Sequence, residues 1–181
     1  MKKIFYPLLA GVLLISSAYV SITSQEWKIK DEFSIKFSSK DPSGIFKDFK
    51  GTINFDENDL ASSKFDLSID VSSISTGNGM MNKKAQIEEW FDVAKYPQIK
   101  FVSTKITKSG KSEDGFIIVG NLKIKGAVKE TKIPVIYSKS GDGAKFSGTF
   151  NVKRSDFKVG HKGDVVPDIM KIDFVVPVVK K

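Results

Sequence analysis

Two stretches of sequence decide the fold of this chain: residues 89–101, EWFDVAKYPQIKF, and residues 120–126, GNLKIKG. The first predicts a short helical end that turns at Pro97 into a β-strand. The second predicts a strand with a glycine at each end. Both carry aromatic and aliphatic side chains in a β-setting without an obvious catalytic group. They therefore favour a protein that holds an apolar molecule over one that transforms it.

The composition limits the chemistry that the chain can perform. Its 181 residues suggest one domain with a short processed segment, and 40% apolar residues permit a substantial core. The sequence contains no cysteine, which excludes disulfides, thiolate nucleophiles and sulfur-bound metals. We predict no catalytic residue, no metal and no cofactor, apart from a bound lipid as ligand.

The N-terminus has the pattern of a secretory signal peptide. Lys2 and Lys3 precede an apolar run over residues 4–15, and small residues follow at 16–18. A membrane anchor is the weaker alternative, because a spanning helix needs about 20 apolar residues. We predict a signal peptide of approximately residues 1–24, a mature domain over residues 25–181, and a periplasmic or secreted location.

The positive charge is spread along the chain rather than clustered. The formal net charge is +8, and Arg154 is the single arginine among the basic residues. Lysines alternate with apolar residues, as expected for the water-facing side of strands. Nucleic-acid binding would require clustered basic residues with exposed aromatics, so we do not predict it. The spread of positive charge agrees better with transient contact with an anionic membrane surface. The sequence does not decide whether the protein forms a homodimer.

Alternation of apolar and polar residues predicts many half-buried strands. The clearest case is the run of Phe65, Leu67, Ile69 and Val71. The remaining predicted strands lie at residues 33–37, 51–55, 99–107, 116–125, 128–138, 146–152 and 172–176. Glycine-containing turns separate them. The pattern predicts an antiparallel barrel or sandwich.

One helix is predicted between the strands, over Met80 to Trp90, because this segment lacks alternation and is rich in helix-forming residues. Asn78 or Asn82 could cap it. Residues 155–167 are predicted to form a long loop. Lysines facing lipid would cost about 2–4 kcal/mol each near the membrane midplane, so we expect an apolar interior and a water-facing exterior.

The motif WFD…KYPQIKF at residues 90–101 resembles the YceI-like proteins, which are periplasmic polyisoprenoid-binding proteins with a lipocalin-like barrel. Segments 44–56, 70–78, 120–126 and 154–160 resemble further motifs of that family in the same order. The resemblance runs from about residue 26 to the end. Many relatives have histidine where this chain has Phe33, and a His-Leu pair is missing from residues 84–90.

The resemblance implies an extended antiparallel β-barrel of about eight strands, with one short covering helix and a linear isoprenoid or similar amphiphile inside. The side chains predicted to line its pore are Phe33, Ile35, Phe65, Leu67, Ile69, Val71, Met80, Met81, Phe101, Leu122, Ile124, Phe146 and Phe150. Alternation identifies the inward face but does not distinguish a hollow barrel from a filled one. Trp90 and Phe91 are expected to pack the helix onto the barrel.

Three polar residues are candidates for the pore mouth or for a headgroup contact: Arg154, Asp156 and His161. A lone arginine also suits an internal ion pair, with Asp156 as one candidate partner. We predict a carrier for an apolar, isoprenoid-like lipid that leaves its ligand chemically unchanged. The alternatives are an enzyme or accessory factor that acts on such a lipid through Asp156 or His161, and a filled-core structural or stress protein.

Overall fold

The computed structural model describes residues 25–110, 112–161, 163 and 165–181. The predicted signal peptide, residues 1–24, lies outside them. The described chain forms β1 (Glu26–Ile29), β2 (Ser34–Ser38), β3 (Ser43–Phe46), β4 (Phe49–Asn54), β5 (Lys64–Asp70), β6 (Ile74–Ser75), α1 (Gly79–Gln86), β7 (Gln98–Lys108), β8 (Gly115–Ile124), β9 (Ala127–Ser140), β10 (Gly143–Lys153) and β11 (Ile169–Lys180). Short 3-10 turns occupy Val71–Ser73 and Arg154–Phe157.

Within this part of the chain, eight strands close into an antiparallel barrel in the order β1-β4-β5-β7-β8-β9-β10-β11. Pairing of β1 with the end of β11 closes the ring, with Trp27 opposite Lys180. The first half of β11 pairs instead with β2, and β3 and β6 continue the wall from there. The predicted all-β barrel with one short helix is confirmed.

The helix is shorter than the sequence predicted. It begins after Asn78, whose side-chain oxygen accepts hydrogen bonds from the backbone N–H groups of Met80 (2.9 Å) and Met81 (3.2 Å), as expected for a cap. It ends at Gln86 rather than at Trp90. The chain then turns back, and the N–H groups of Phe91 and Val93 bond the last carbonyls of the helix. This turn brings Trp90 and Phe91 towards the barrel core.

The two decisive stretches meet at one end of the barrel. The ring of Tyr96 covers Gly126, where an added Cβ would lie 2.9 Å from it, and a φ of +78° there also favours glycine. The ammonium of Lys125 donates to the carbonyl oxygens of Glu89 (3.1 Å) and Lys158 (2.9 Å). These contacts join residues 87–97 to the loop after β10. We call the end of the barrel formed by α1, residues 87–97 and the loop after β10 the mouth.

The opposite end of the barrel is filled by aromatic rings. We call this cluster the aromatic floor; it consists of Trp27, Phe55, Phe65, Phe116, Tyr137 and Phe146, with ring centroids 4.8–6.4 Å apart. Phe55 is its centre, 1% exposed and in contact with four of the other rings. Burial, reinforced by the charges of Glu57 and Asp56, raises the pKa of Tyr137 to about 12. The rings of the floor are therefore uncharged at neutral pH.

Candidate functional site

The barrel encloses two adjoining apolar cavities along its axis. A narrow cavity of about 120 Å³ lies above the aromatic floor, and a wide cavity of about 400 Å³ lies towards the mouth. The side chains that line both are Ile35, Ile69, Ile99, Leu122, Phe150 and Ile172. We call these six residues the junction. Because these six residues line both cavities, the two cavities adjoin at the junction and together extend along the barrel axis.

Inward-facing positions along single strands give the order of the parts. On β8, Phe116 belongs to the floor, Ile118 lines the narrow cavity, Leu122 lies at the junction and Ile124 lines the wide cavity. On β10 the same order runs from Phe146 through Phe150 to Val152. The period-2 alternation that builds a half-buried strand therefore also builds a continuous tunnel wall. The floor closes one end of this tunnel.

Most residues predicted to line the pore lie on these walls. Phe65, Leu67, Phe101 and Phe146 line the narrow cavity, Ile35, Ile69, Leu122 and Phe150 lie at the junction, and Met81 and Ile124 line the wide cavity.

The structure places the other three elsewhere. Phe33 precedes β2 and packs on Phe49 with ring centroids 5.5 Å apart. Val71 is buried inside a 3-10 turn, and Met80 points outward, 79% exposed. None of the three lines either cavity.

Arg154 lines the wide cavity and ties the loop that follows it. The side chain is only 7% exposed. Its guanidinium donates to the carbonyl oxygens of Val159 and Val166, both at 2.8 Å, and also to those of His161 and Pro167. A planar fork of five N–H donors suits such a set of acceptors. Arg154 therefore fixes the shape of the mouth, and it does so through backbone carbonyls.

Asp156 and His161 do not reach the void. Both are exposed, and His161 lies beside Glu89 with 3.4 Å between Nε2 and Oε1. Neither lines a cavity, whereas a general base must come within hydrogen-bond reach of its substrate. No cluster of three or more metal-ligating side chains occurs in the described part of the chain.

Sequence reasoning missed several wall residues. Ile99 shares its face with Phe101, and Phe37 shares its face with Ile35; both lie within the predicted strands, so the same alternation already indicated that they face inward. Trp90 and Phe91, assigned to helix packing, also line the wide cavity. Their position follows from the turn after α1, which no local periodicity indicates.

The rim of the mouth is apolar and basic. Met81 and Val165 are exposed and line the wide cavity, and the exposed Met80 precedes Met81 on α1. Lys83 and Lys84 follow on the same helix. Across the described residues, no helix combines the length and apolar character needed to cross a membrane.

Known proteins are similar to this chain in sequence and in fold. A family model for the YceI-like domain matches residues 20–178. Protein YceI of Escherichia coli O17:K52:H18 is 31% identical over 141 residues, covering 75% of this chain and 71% of that protein. The crystal structure of BcnA from Burkholderia cenocepacia matches with a TM-score of 0.78 at 30% identity, covering 83% of this chain and 99% of that one.

A more distant structure has the same architecture. It is a polyisoprenoid binding domain from Saccharophagus degradans, with a TM-score of 0.67 at 13% identity, covering 87% of this chain and 100% of that one. A likeness at this level of identity concerns the fold alone.

Proposed function

The chain belongs to the YceI-like family, and from this premise we propose that it is a carrier for a linear, isoprenoid-like lipid. The observation that supports this best is the lengthwise void, which is apolar on its walls, closed by the aromatic floor and continued to the mouth. The polyisoprenoid binding named for the Saccharophagus degradans domain agrees with it. A filled-core structural protein would not need such a void.

The driving force for binding comes from the hydrocarbon tail. Each methylene that leaves water contributes about 0.8 kcal/mol. Several buried isoprene units therefore outweigh the cost of ordering the ligand. Because apolar walls offer no directional contacts, the tail is selected by its length and cross-section. In this proposal the junction limits the cross-section of the tail, and the floor limits its length.

We propose that the lipid leaves the protein chemically unchanged. The two residues considered for catalysis, Asp156 and His161, lie outside the cavities. The polar side chain that does line the void near them, Arg154, has its guanidinium directed at backbone carbonyls. This supports a binding protein over an enzyme acting on the same lipid.

Extraction of the purified mature protein tests the carrier function. Native mass spectrometry of protein made in a bacterial periplasm is expected to show a bound mass, and organic extraction is expected to release an unmodified isoprenoid-like lipid. Repeated absence of lipid, including after incubation with isoprenoid quinones, would contradict the proposal. Chemical alteration of an added lipid that is lost in His161→Ala or in Asp156→Ala would favour the enzyme alternative.

We also propose that the ligand is loaded from an anionic membrane in the periplasm, against which the rim of the mouth rests. Exposed Met80 and Val165 can enter the interface, and each lysine near an anionic surface adds about 1 kcal/mol. Transfer of a fluorescent isoprenoid from anionic vesicles is therefore expected to slow at least fivefold in Lys83→Glu, which removes one positive charge and adds a negative one. Lys145→Glu makes the same charge change on β10 beside the floor and should leave the rate unchanged. Equal rates in both variants would contradict docking through the mouth.

A further inference from the structure

The indole N–H of Trp90 is buried and lacks a hydrogen-bond partner among the described residues. Such a group has lost its hydrogen bonds to water without replacement, which is destabilising, and the great majority of buried polar atoms in native proteins are paired. The other tryptophan follows that rule, since Nε1 of Trp27 donates to the carbonyl oxygen of Phe55 at 2.9 Å. The unpaired donor at Trp90 therefore needs an explanation outside the fold.

The position of Trp90 indicates where that explanation lies. Trp90 lines the wide cavity, together with the polar side chains of Asp41, Thr76, Lys84 and Arg154. The narrow cavity, in contrast, has Ser68 as its one polar lining residue within the described chain. Polar groups are thus concentrated in the half of the void nearest the mouth. A ligand with one polar end would place that end beside Trp90.

Two cations lie close to the Trp90 ring. The ammonium of Lys84 is 5.9 Å from the ring centroid and the guanidinium carbon of Arg154 is 5.6 Å from it. Both distances fall within the range of cation–π attraction, which helps to fix the orientation of the indole. The same cations make the surroundings of Nε1 favourable for an electron-rich or negatively charged oxygen.

Two other donors on this wall, the hydroxyl of Thr76 and the guanidinium of Arg154, are already used within the fold. The hydroxyl of Thr76 lies 2.8 Å from the side-chain oxygen of Asn82. The guanidinium of Arg154 donates to carbonyl oxygens of the following loop. Among the described residues on this wall, the N–H of Trp90 and the ammonium of Lys84 have no hydrogen-bond acceptor in the protein. Lys84 is exposed and can bond to water, so the buried N–H of Trp90 is the donor that gains most from an acceptor on a ligand.

We propose that Trp90 donates a hydrogen bond to an oxygen on the head of the bound lipid. This inference rests on the proposed function and narrows its ligand class to isoprenoids with an acceptor head, a carbonyl or a phosphate, and excludes plain hydrocarbons as the preferred ligand. The head lies in the wide cavity and the tail runs through the junction to the aromatic floor. Trp90 is then a specificity-determining residue.

Three probes with tails of similar length test this assignment: squalene, an isoprenoid quinone and a polyprenyl phosphate. Trp90→Phe keeps a ring and removes the N–H. It is expected to weaken binding of the quinone, the phosphate or both about five- to tenfold, and to leave squalene binding unchanged. The probe whose affinity decreases, the quinone or the phosphate, identifies the chemical class of the head group. Trp27→Phe removes the other indole N–H, which lines neither cavity; a selective loss of the quinone or the phosphate in that variant as well would show that the effect does not come from the N–H of Trp90.

A spectroscopic measurement on the unaltered chain gives an independent result. In the ¹⁵N-labelled protein, the indole proton of Trp90 is expected to move downfield on saturation with an acceptor-headed probe and not with squalene; the Trp27→Phe spectrum assigns the resonance. If Trp90→Phe loses affinity for squalene and for the quinone equally, or if the indole resonance does not change, the proposed role of Trp90 is overturned. Binding of squalene to the unaltered protein would still support the carrier function in that case. Failure of all three probes to bind the unaltered protein overturns both proposals.

Discussion

Ile69→Trp is expected to reduce the lipid occupancy of the purified protein at least tenfold while the protein stays folded. Ile69 lies on β5 at the junction, where it lines both cavities. An indole there would occupy the passage between them and keep the tail out of the narrow cavity. Exclusion of two methylenes already costs about 1.6 kcal/mol, or more than tenfold in affinity. Native mass spectrometry and titration with an isoprenoid quinone measure the effect.

The same substitution on the outer surface provides the control. Ile136 lies on β9, is 41% exposed and faces away from the void, so Ile136→Trp should bind lipid as the unaltered protein does. Overpacking of a solid core costs about 1–3 kcal/mol, whereas an indole at position 69 enters space that is already present. Normal occupancy in Ile69→Trp, or a loss of stability in that range without a change in binding, would contradict a continuous tunnel.

The inward face of the barrel could be predicted from the sequence because it is a local property. Phe65, Leu67 and Ile69 alternate with polar residues, and the structure places all three on the tunnel wall. Closure of the barrel is less local. It depends on β1, a strand of four residues that pairs with the far end of β11, where Ile29 lies opposite Val178, 149 residues later in the chain. Four residues are too few for alternation to be recognised.

The size of the void could not be predicted, because it depends on side-chain volumes summed across several strands. Phe65 and Phe146 illustrate this, since each lines the narrow cavity and also packs into the floor. A pattern that marks both as inward-facing does not show which side of the ring meets empty space. The unpaired N–H of Trp90 was likewise hidden, because its neighbours Lys84 and Arg154 come from separate segments.

Phe55→Ala is expected to lower the free energy of unfolding by about 3–5 kcal/mol. Phe55 is almost fully buried and its ring meets those of Phe65, Phe116, Tyr137 and Phe146. Truncation removes the burial of a large ring and leaves a cavity that rigid neighbours fill only in part. Urea denaturation of lipid-free protein measures the change. The dependence of the free energy of unfolding on urea concentration should be similar for the two proteins, so that the difference reports stability alone.

Phe33→Ala is the matched control for the floor, because it deletes the same ring where the side chain is half-buried and has one ring contact, with Phe49. Phe33→Ala should lower the free energy of unfolding by less than half as much as Phe55→Ala does. Equal decreases would show that the floor does not stabilise the fold more than other ring contacts do. We expect the floor also to limit the length of the tail, since Phe65 and Phe146 line the narrow cavity and pack against Phe55 behind them. Loss of the ring behind them lets both move outward and extends the void. Folded Phe55→Ala protein given a mixture of isoprenoid quinones should therefore retain longer tails than the unaltered protein, and an unchanged length distribution would mean that the junction, not the floor, sets the limit.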